Sequence, residues 1–328
     1  MDTLLEVVNL KKYFPMRRGM IQFLKREKPR YIPAVDDVSF KINKGETVAL
    51  VGESGSGKTT LARLILRLIE PTSGKILFEG KDITALEGRD LKEIRGKMQI
   101  VFQDPYAALD PRRTVFKALE EPLIIHGLYR PSERKEIIIN MLRAVGLSPP
   151  ELFLEKYPHE LSGGQRQRVV IARALILNPS FVVMDEPVSL LDATVRTQIL
   201  DLINKMKEKF NLTYLFITHD IALARYVSER ILVMYRGKVV ESGETEAVIQ
   251  EPLHPYTKVL ISAVPVPDPK MKIALPPTKA DEAEASLTYL QGCRFHPRCP
   301  YADQICKEKE PPYEMLEDGR FVSCWKVK

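Results

Sequence analysis

A chain of 328 residues with 45% hydrophobic and 28% charged residues has the composition of a soluble globular protein, long enough for one large domain with an appendage or for two modest domains. No apolar run reaches the roughly 18 residues that a membrane span requires, and MDTLLEVVNL lacks the basic and apolar segments of a secretory signal. The net charge of +6 is spread along the chain, with one local excess at 16–30, so nucleic acid is not expected as a partner.

The basic stretch MRRGMIQFLKREKPR reads either as a membrane-surface segment or as a solvated loop. Beyond it, TVALV at 47–51 is a β-branched run of the kind that forms a buried strand. It leads into GESGSGKT at 52–59, which matches G-x-x-x-x-G-K-[ST]. The following KTTLARLILRLI sets Leu61, Leu64, Ile65, Leu68 and Ile69 on one helical face. A glycine-rich loop between strand and helix is the context of a phosphate-binding loop. Gly52, Gly55 and Gly57 let the backbone wrap around phosphates, and the amides at the helix start face the anion. Ser54, Ser56 and Thr60 belong to the same cradle. Lys58 is expected to reach the β- and γ-phosphates, and Thr59 to offer its hydroxyl to Mg²⁺.

Residues 106–178 lack comparable strands and are expected to be mainly helical. They carry LSGGQ at 161–165, in which Ser162, Gly163, Gly164 and Gln165 open a helix and present its N-terminal amides as an anion site. FVVMDEP then supplies a second buried strand ending in adjacent carboxylates. Asp185 is expected to hold Mg²⁺ through water, and Glu186 to orient or deprotonate an attacking water. A third strand, TYLFIT at 213–218, ends at His219, on the ligand side of an α/β sheet. There His219 is expected to contact the γ-phosphate.

The chain leaves this core after Gly243. A helix is expected after Pro255, then a Pro-rich linker and a tail holding all four cysteines: Cys293, Cys299, Cys306 and Cys324. Two disulfides would satisfy the count but not a reducing compartment. A metal site is the better reading. Four thiolates suit a [4Fe–4S] cluster or zinc, and the long C-x5-C-x6-C-x17-C spacing favours the cluster. Such a tail cannot build much core alone.

The order of these elements resembles the ATP-binding cassette (ABC) ATPases over residues 1–250, and LSGGQ is far more specific than the P-loop. The implied fold class is α/β: a P-loop NTPase (RecA-like) cassette with a helical signature subdomain at about 106–178 and a small Cys-rich, metal-binding extension at 251–328. The resemblance implies that ATP is held between the P-loop of one cassette and the signature of another. It places Tyr13 against adenine, makes Gln103 in IVFQDP a Mg²⁺ sensor coupled to a membrane partner, and makes Asp192 in SLLD an acid communicating across the dimer. FQDPYAALDPR, DEPVSLLDATVR, HPYTKVLISAVP and the basic insertion resemble the ATPase subunits of oligopeptide/dipeptide importers, which also carry a four-cysteine cluster. That narrower resemblance implies ATP hydrolysis on the cytoplasmic side of a membrane. The implied partners are a second and different ATPase subunit, two transmembrane permeases and an extracellular solute-binding protein. Oligosaccharides are the alternative cargo, and a non-transport ABC ATPase the rival class.

Overall fold

A computed structural model describes residues 2–16, 31–263 and 291–327. The basic stretch at 17–30 and most of the Pro-rich linker lie outside the described residues. By internal contacts the chain divides into two compact units, each assembled from separate stretches of sequence. The first comprises Met1–Thr3, Ile42–Thr47 and Ala85–Ile217. The second comprises Leu4–Lys41, Val48–Thr84 and Thr218–Lys328.

In chain order the strands begin with β1 (Thr3–Pro15), β2 (Tyr31–Asn43), β3 (Thr47–Val51), β4 (Ser73–Phe78) and the short β5 (Lys81–Asp82). β2, β1, β4 and β5 lie side by side in that order as one sheet. β1 and β4 run antiparallel from Leu5↔Phe78 to Lys11↔Ser73, with a shift between Val8 and Lys11. Alternation of apolar residues puts Leu5 and Val7 of β1, and Ile76 and Phe78 of β4, into the core. None of these strands except β3 was expected from the sequence.

The first unit contains β6 (Met98–Val101), β7 (Phe181–Asp185) and most of β8 (Thr213–Thr218). They are parallel, with Met98 opposite Phe181 and Phe181 opposite Thr213. Phe181, Val182, Val183 and Met184 are fully buried, which explains why β7 is a continuous apolar run rather than an alternating one. Between β6 and β7 the described backbone is helical, with its longer helices at Val115–Ile125, Pro131–Ala144 and Gly163–Leu175.

The second unit continues with β9 (Arg230–Tyr235), β10 (Lys238–Glu244), β11 (Glu314–Met315) and β12 (Phe321–Val322). β3 pairs parallel with β9, while β9, β10, β12 and β11 follow antiparallel. The C-terminal tail thus extends the sheet that contains β3 and β9. A helix at Pro255–Ser262 starts with proline at its first position, where a missing N–H costs nothing. Phe295 and Cys299 of the tail share one core with Ala49, Val51, Ile231, Val233, Tyr235 and Tyr256. The tail's apolar residues are buried by borrowing the core of the strands around β3.

One local expectation is corrected. The helix after the P-loop ends at Ile65, with Leu66 as its cap, so Leu68 and Ile69 are not part of it. Arg67 turns into the left-handed region at φ 53°, and its Nε donates to Ile83 O at 3.1 Å. Leu61, Leu64 and Ile65 are fully buried as expected, whereas Leu68 is exposed.

Candidate functional site

In the second unit, β3 delivers the chain into the glycine-rich loop, and the helix Lys58–Ile65 begins at once. Gly57 caps that helix at φ 107°, and a Cβ there would lie 2.1 Å from Ala34 O, so no other residue fits. Gly55 is also left-handed, at φ 77°, but a Cβ there would meet nothing within 4 Å. Lys58 is buried, and its Nζ donates to Gly52 O at 2.7 Å and Glu53 O at 2.9 Å, with Ser56 Oγ at 3.5 Å. The ammonium therefore lies inside the loop whose phosphates it is expected to reach. Ser56 is buried, Ser54 and Thr59 are exposed, and Thr60 is intermediate.

Tyr13, at the end of β1, donates its hydroxyl to Asp36 Oδ1 at 2.5 Å. Burial alone would raise the Asp36 carboxyl. The Tyr13 hydrogen bond and the cations Lys238, Arg294 and Lys11 outweigh it and hold the group below the ordinary carboxylate range. His219, just beyond β8, is exposed, and the next residue, Asp220, caps the helix Ile221–Val227 by accepting from Ala222 N and Leu223 N.

In the first unit, β7 ends at the buried Asp185 and the chain turns at Glu186. Glu186 has φ 48°, a conformation that costs a non-glycine residue and clusters at functional sites. Its N–H donates to Ile217 O at 3.0 Å, and Ser189 Oγ donates to its carbonyl at 3.1 Å. Gln103 Nε2, following β6, donates to Glu186 Oε2 at 2.9 Å. Two residues 83 positions apart are thereby joined, and both were singled out from sequence.

The signature also belongs to the first unit. Ser162 caps the helix Gly163–Leu175: its Oγ accepts from Gln165 N at 3.3 Å, and its own N–H donates to Gln165 Oε1 at 3.1 Å. This reciprocal capping box fixes where the helix starts, so the amides of the helix N-terminus are presented by Gly163 and Gly164. Arg166 anchors the entry to the helix by donating to Pro158 O and Leu161 O, and it stacks 3.7 Å from the Tyr106 ring centroid. Asp192 caps the next helix, Ala193–Phe210, through its backbone, with no side-chain cap bond.

The tail expected from the sequence to hold a metal brings its four cysteines into the second unit. No disulfide joins any of the four cysteines, and among the described residues no group of three or more His, Cys, Asp or Glu side chains is arranged to hold a metal ion. The thiols do gather: burial pushes Cys293 up to about 12, with Cys324, Cys306 and Cys299 adding to the rise. Burial also raises Cys306 and Cys324. Packing and ion pairs hold the tail. Phe295 sits edge-on to Tyr235 at 5.3 Å and to Tyr256 at 5.6 Å, Arg298 forms a two-pronged pair with Glu53, and Arg294 pairs with Asp36. Sequence reading missed both arginines and Tyr256. No motif marks them, because their partners lie more than 200 positions away.

A P-loop opening a helix, a buried strand ending in paired carboxylates and a serine-capped LSGGQ helix define an ATP-binding cassette. A family described as ABC transporter matches residues 35–189, and one described as oligopeptide/dipeptide transporter, C-terminal region, matches residues 240–306. The oligopeptide transport ATP-binding protein AppF of Bacillus subtilis is 45% identical, covering 98% of this chain and 97% of that protein. The dipeptide transport ATP-binding protein DppF of Haemophilus influenzae is 41% identical over 99% of this chain and 97% of that protein. Among solved structures, the dimeric cassette MJ0796 bound to ADP and Pi is 33% identical with a TM-score of 0.63, covering 74% of this chain and 99% of that one. CbiO1 of Clostridium perfringens, part of a cbiONQ transporter complex, is 27% identical with a TM-score of 0.64, covering 76% of this chain and 92% of that one. The chain belongs to the ABC transporter ATP-binding proteins of the oligopeptide/dipeptide type.

Proposed function

We propose that this protein is the ATP-hydrolysing subunit that powers import of oligopeptides or dipeptides through a membrane transporter. The observation that carries the reading is the pairing, on one chain, of a cassette with the C-terminal region of oligopeptide/dipeptide transporters. Near full-length similarity to ATP-binding proteins of peptide transport supports it. Among the described residues no helix is long and apolar enough to cross a membrane, and in this reading the membrane-spanning part is supplied by other subunits. The partners in this reading are two permeases, a solute-binding receptor and a second, non-identical cassette, with this chain peripheral on the cytoplasmic face.

Chemically, Lys58 and the helix-start amides would bind the β- and γ-phosphates, and Thr59 and Asp185 would hold Mg²⁺, which would offset the charge of the phosphates. Tyr13 stacks on adenine. Glu186 orients and deprotonates the attacking water, and its strained backbone together with the Gln103 hydrogen bond fixes its carboxylate. His219 takes the γ-phosphate side. Ser162 to Gln165 present an anion-binding helix start to ATP on the partner cassette, and Asp192 acts across the same dimer. Binding closes two cassettes, hydrolysis releases them, and Gln103 passes the change to the permeases.

For the tail we propose a [4Fe–4S] cluster held by Cys293, Cys299, Cys306 and Cys324, with zinc as the second reading. The four sulfurs are the right donors for either, and the Cys293 N–H donating to Cys306 O at 2.8 Å, with Cys299 and Cys306 buried, supports the reading. The group would act structurally, since four protein thiolates leave no open coordination position. A sample purified without oxygen should absorb broadly near 400 nm. A colourless protein with stoichiometric zinc would replace the cluster by zinc.

The direct test of transport is purification of the chain from its native membranes with its bound proteins identified. Two multispanning subunits and a second cassette support the proposal, and the receptor of that complex is then screened against peptides and oligosaccharides. Recovery of ribosomal or DNA-processing proteins would end the transport reading.

A further inference from the structure

The phosphate-loop motif leaves the position of Glu53 open, yet Glu53 is held at three points. Its N–H donates to Tyr256 Oη at 2.8 Å. Its carbonyl accepts from Lys58 Nζ at 2.9 Å. Its carboxylate takes both prongs of the Arg298 guanidinium, at 2.9 and 3.1 Å. Arg298 is in turn fixed over the rings of Phe295, at 5.7 Å, and Tyr235, at 5.9 Å. A planar, always-charged fork on a carboxylate is the most directional ion pair a protein can make. Here it ties the cysteine tail to the phosphate loop.

Four residues earlier in the tail, Arg294 reaches the other side of the same unit. It pairs with Asp36, the carboxylate that receives the Tyr13 hydroxyl. It also donates to the carbonyls of Arg236 and Pro33. The next residue, Gly237, donates its N–H to Ser56 O of the phosphate loop at 2.7 Å and accepts from Asp36 N at 2.8 Å. One short segment bounded by Cys293 and Cys299 therefore braces both the aromatic at the base end and the loop at the phosphate end.

We infer that Arg294 and Arg298 are positioning residues for ATP: the cysteine-bounded segment 293–299 holds Tyr13, through Asp36, and the phosphate loop, through Glu53, in their binding geometry. The inference rests on the assignment of Tyr13 and the loop to ATP. An arginine that merely docked the tail would need no carboxylate in the phosphate loop. The present arrangement makes nucleotide affinity depend on residues more than 200 positions downstream.

The test measures binding of a fluorescent ATP analogue to the full-length chain, and KM and kcat for ATP in the assembled complex. Losing a charge-assisted, two-pronged hydrogen bond should weaken ATP binding by about tenfold or more in Arg298→Ala. KM should rise by a similar factor and kcat should change far less. Arg298→Lys keeps the charge and one prong, and should recover part of the affinity in a chain that folds. Arg298→Ala placed on Glu53→Ala should add little, because the shared contact is already gone. Affinity within about twofold of the parent in both Arg298 variants, with only faster proteolysis of the tail, overturns the inference and leaves a docking role. Lys58→Ala supplies the separate control. A parent chain whose nucleotide affinity is unaffected by Lys58→Ala would overturn the ATP-site assignment itself, and the positioning role with it.

Discussion

Gln103 donates to Glu186 at 2.9 Å, so a residue just beyond β6 and the carboxylate just beyond β7 share one hydrogen bond. Parallel pairing of Val101 with Met184 brings the two strand ends level, and the next residues of each chain stretch meet. A movement of the segment around Gln103 is thus felt directly at the carboxylate assigned to activate water. In the proposed function, this hydrogen bond is the route by which a membrane partner would influence hydrolysis.

Glu186→Gln keeps the size and a hydrogen-bonding side chain but cannot take a proton. ATP turnover in the assembled complex should fall by at least about 100-fold, while binding of a fluorescent ATP analogue stays within about threefold and the closed dimer accumulates on a sizing column. Turnover unchanged from the parent would remove Glu186 as the base.

Gly57→Ala and Gly55→Ala separate steric clash from backbone preference. At position 57 a methyl group would sit 2.1 Å from Ala34 O, so the loop must move. ATP binding should be lost, with a thermal shift to lower temperature. At position 55 there is no clash and only the left-handed backbone is penalised, by about 1 kcal/mol. That variant should bind ATP measurably. Equal effects of the two substitutions would contradict the described path of the loop.

Phe295→Ala removes the aromatic that joins the tail to Tyr235 and Tyr256. Large-to-small changes at a buried phenylalanine cost about 3–5 kcal/mol. Urea denaturation of the second unit should show a loss of that order, together with faster proteolysis after residue 290. Full retention of stability would mean that the tail does not depend on this core.

His254 is fully buried, its Nδ1 accepts from Tyr256 N at 3.0 Å, and burial pushes its pKa down to about 3. In the unfolded chain the imidazole takes a proton near pH 6.5. Its contribution is therefore fully present above that pH and is lost progressively as pH falls toward 3. At pH 5 the loss amounts to about 2 kcal/mol. Glu241, which accepts from His254 N, works in the opposite sense because burial raises its carboxyl. Comparing the parent with His254→Asn, which retains an acceptor for Tyr256 N–H, isolates the histidine. The parent should lose about 2 kcal/mol more than the variant between pH 7 and pH 5. Equal losses would show that His254 is not held neutral.

Local chemistry was legible in the chain from the start. Gly57, Lys58 and Ser162 work through contacts with near neighbours or through a turn that only their own residue type can make. Such constraints leave a motif. Three strands could be read for the same reason: Thr47–Val51, Phe181–Asp185 and Thr213–Thr218 are buried on both faces and so are apolar throughout. β1, β2 and β4 escaped notice because their half-exposed alternation is broken by charged residues and, in β1, by a shift in register. The four cysteines announced a cluster of thiols by spacing alone, but not the ligand geometry of a metal, which depends on where the backbone sets each sulfur.

By itself the sequence determined the phosphate loop, the signature helix and the carboxylate strand, since each is built within a dozen consecutive residues. Only the tertiary structure decided that Gln103 meets Glu186, and that the tail shares a core with β3 and β9 and grips Glu53 and Asp36. Those contacts join positions 83 to 258 apart. Their energy comes from packing and desolvation, which the chain acquires only when distant surfaces close on one another.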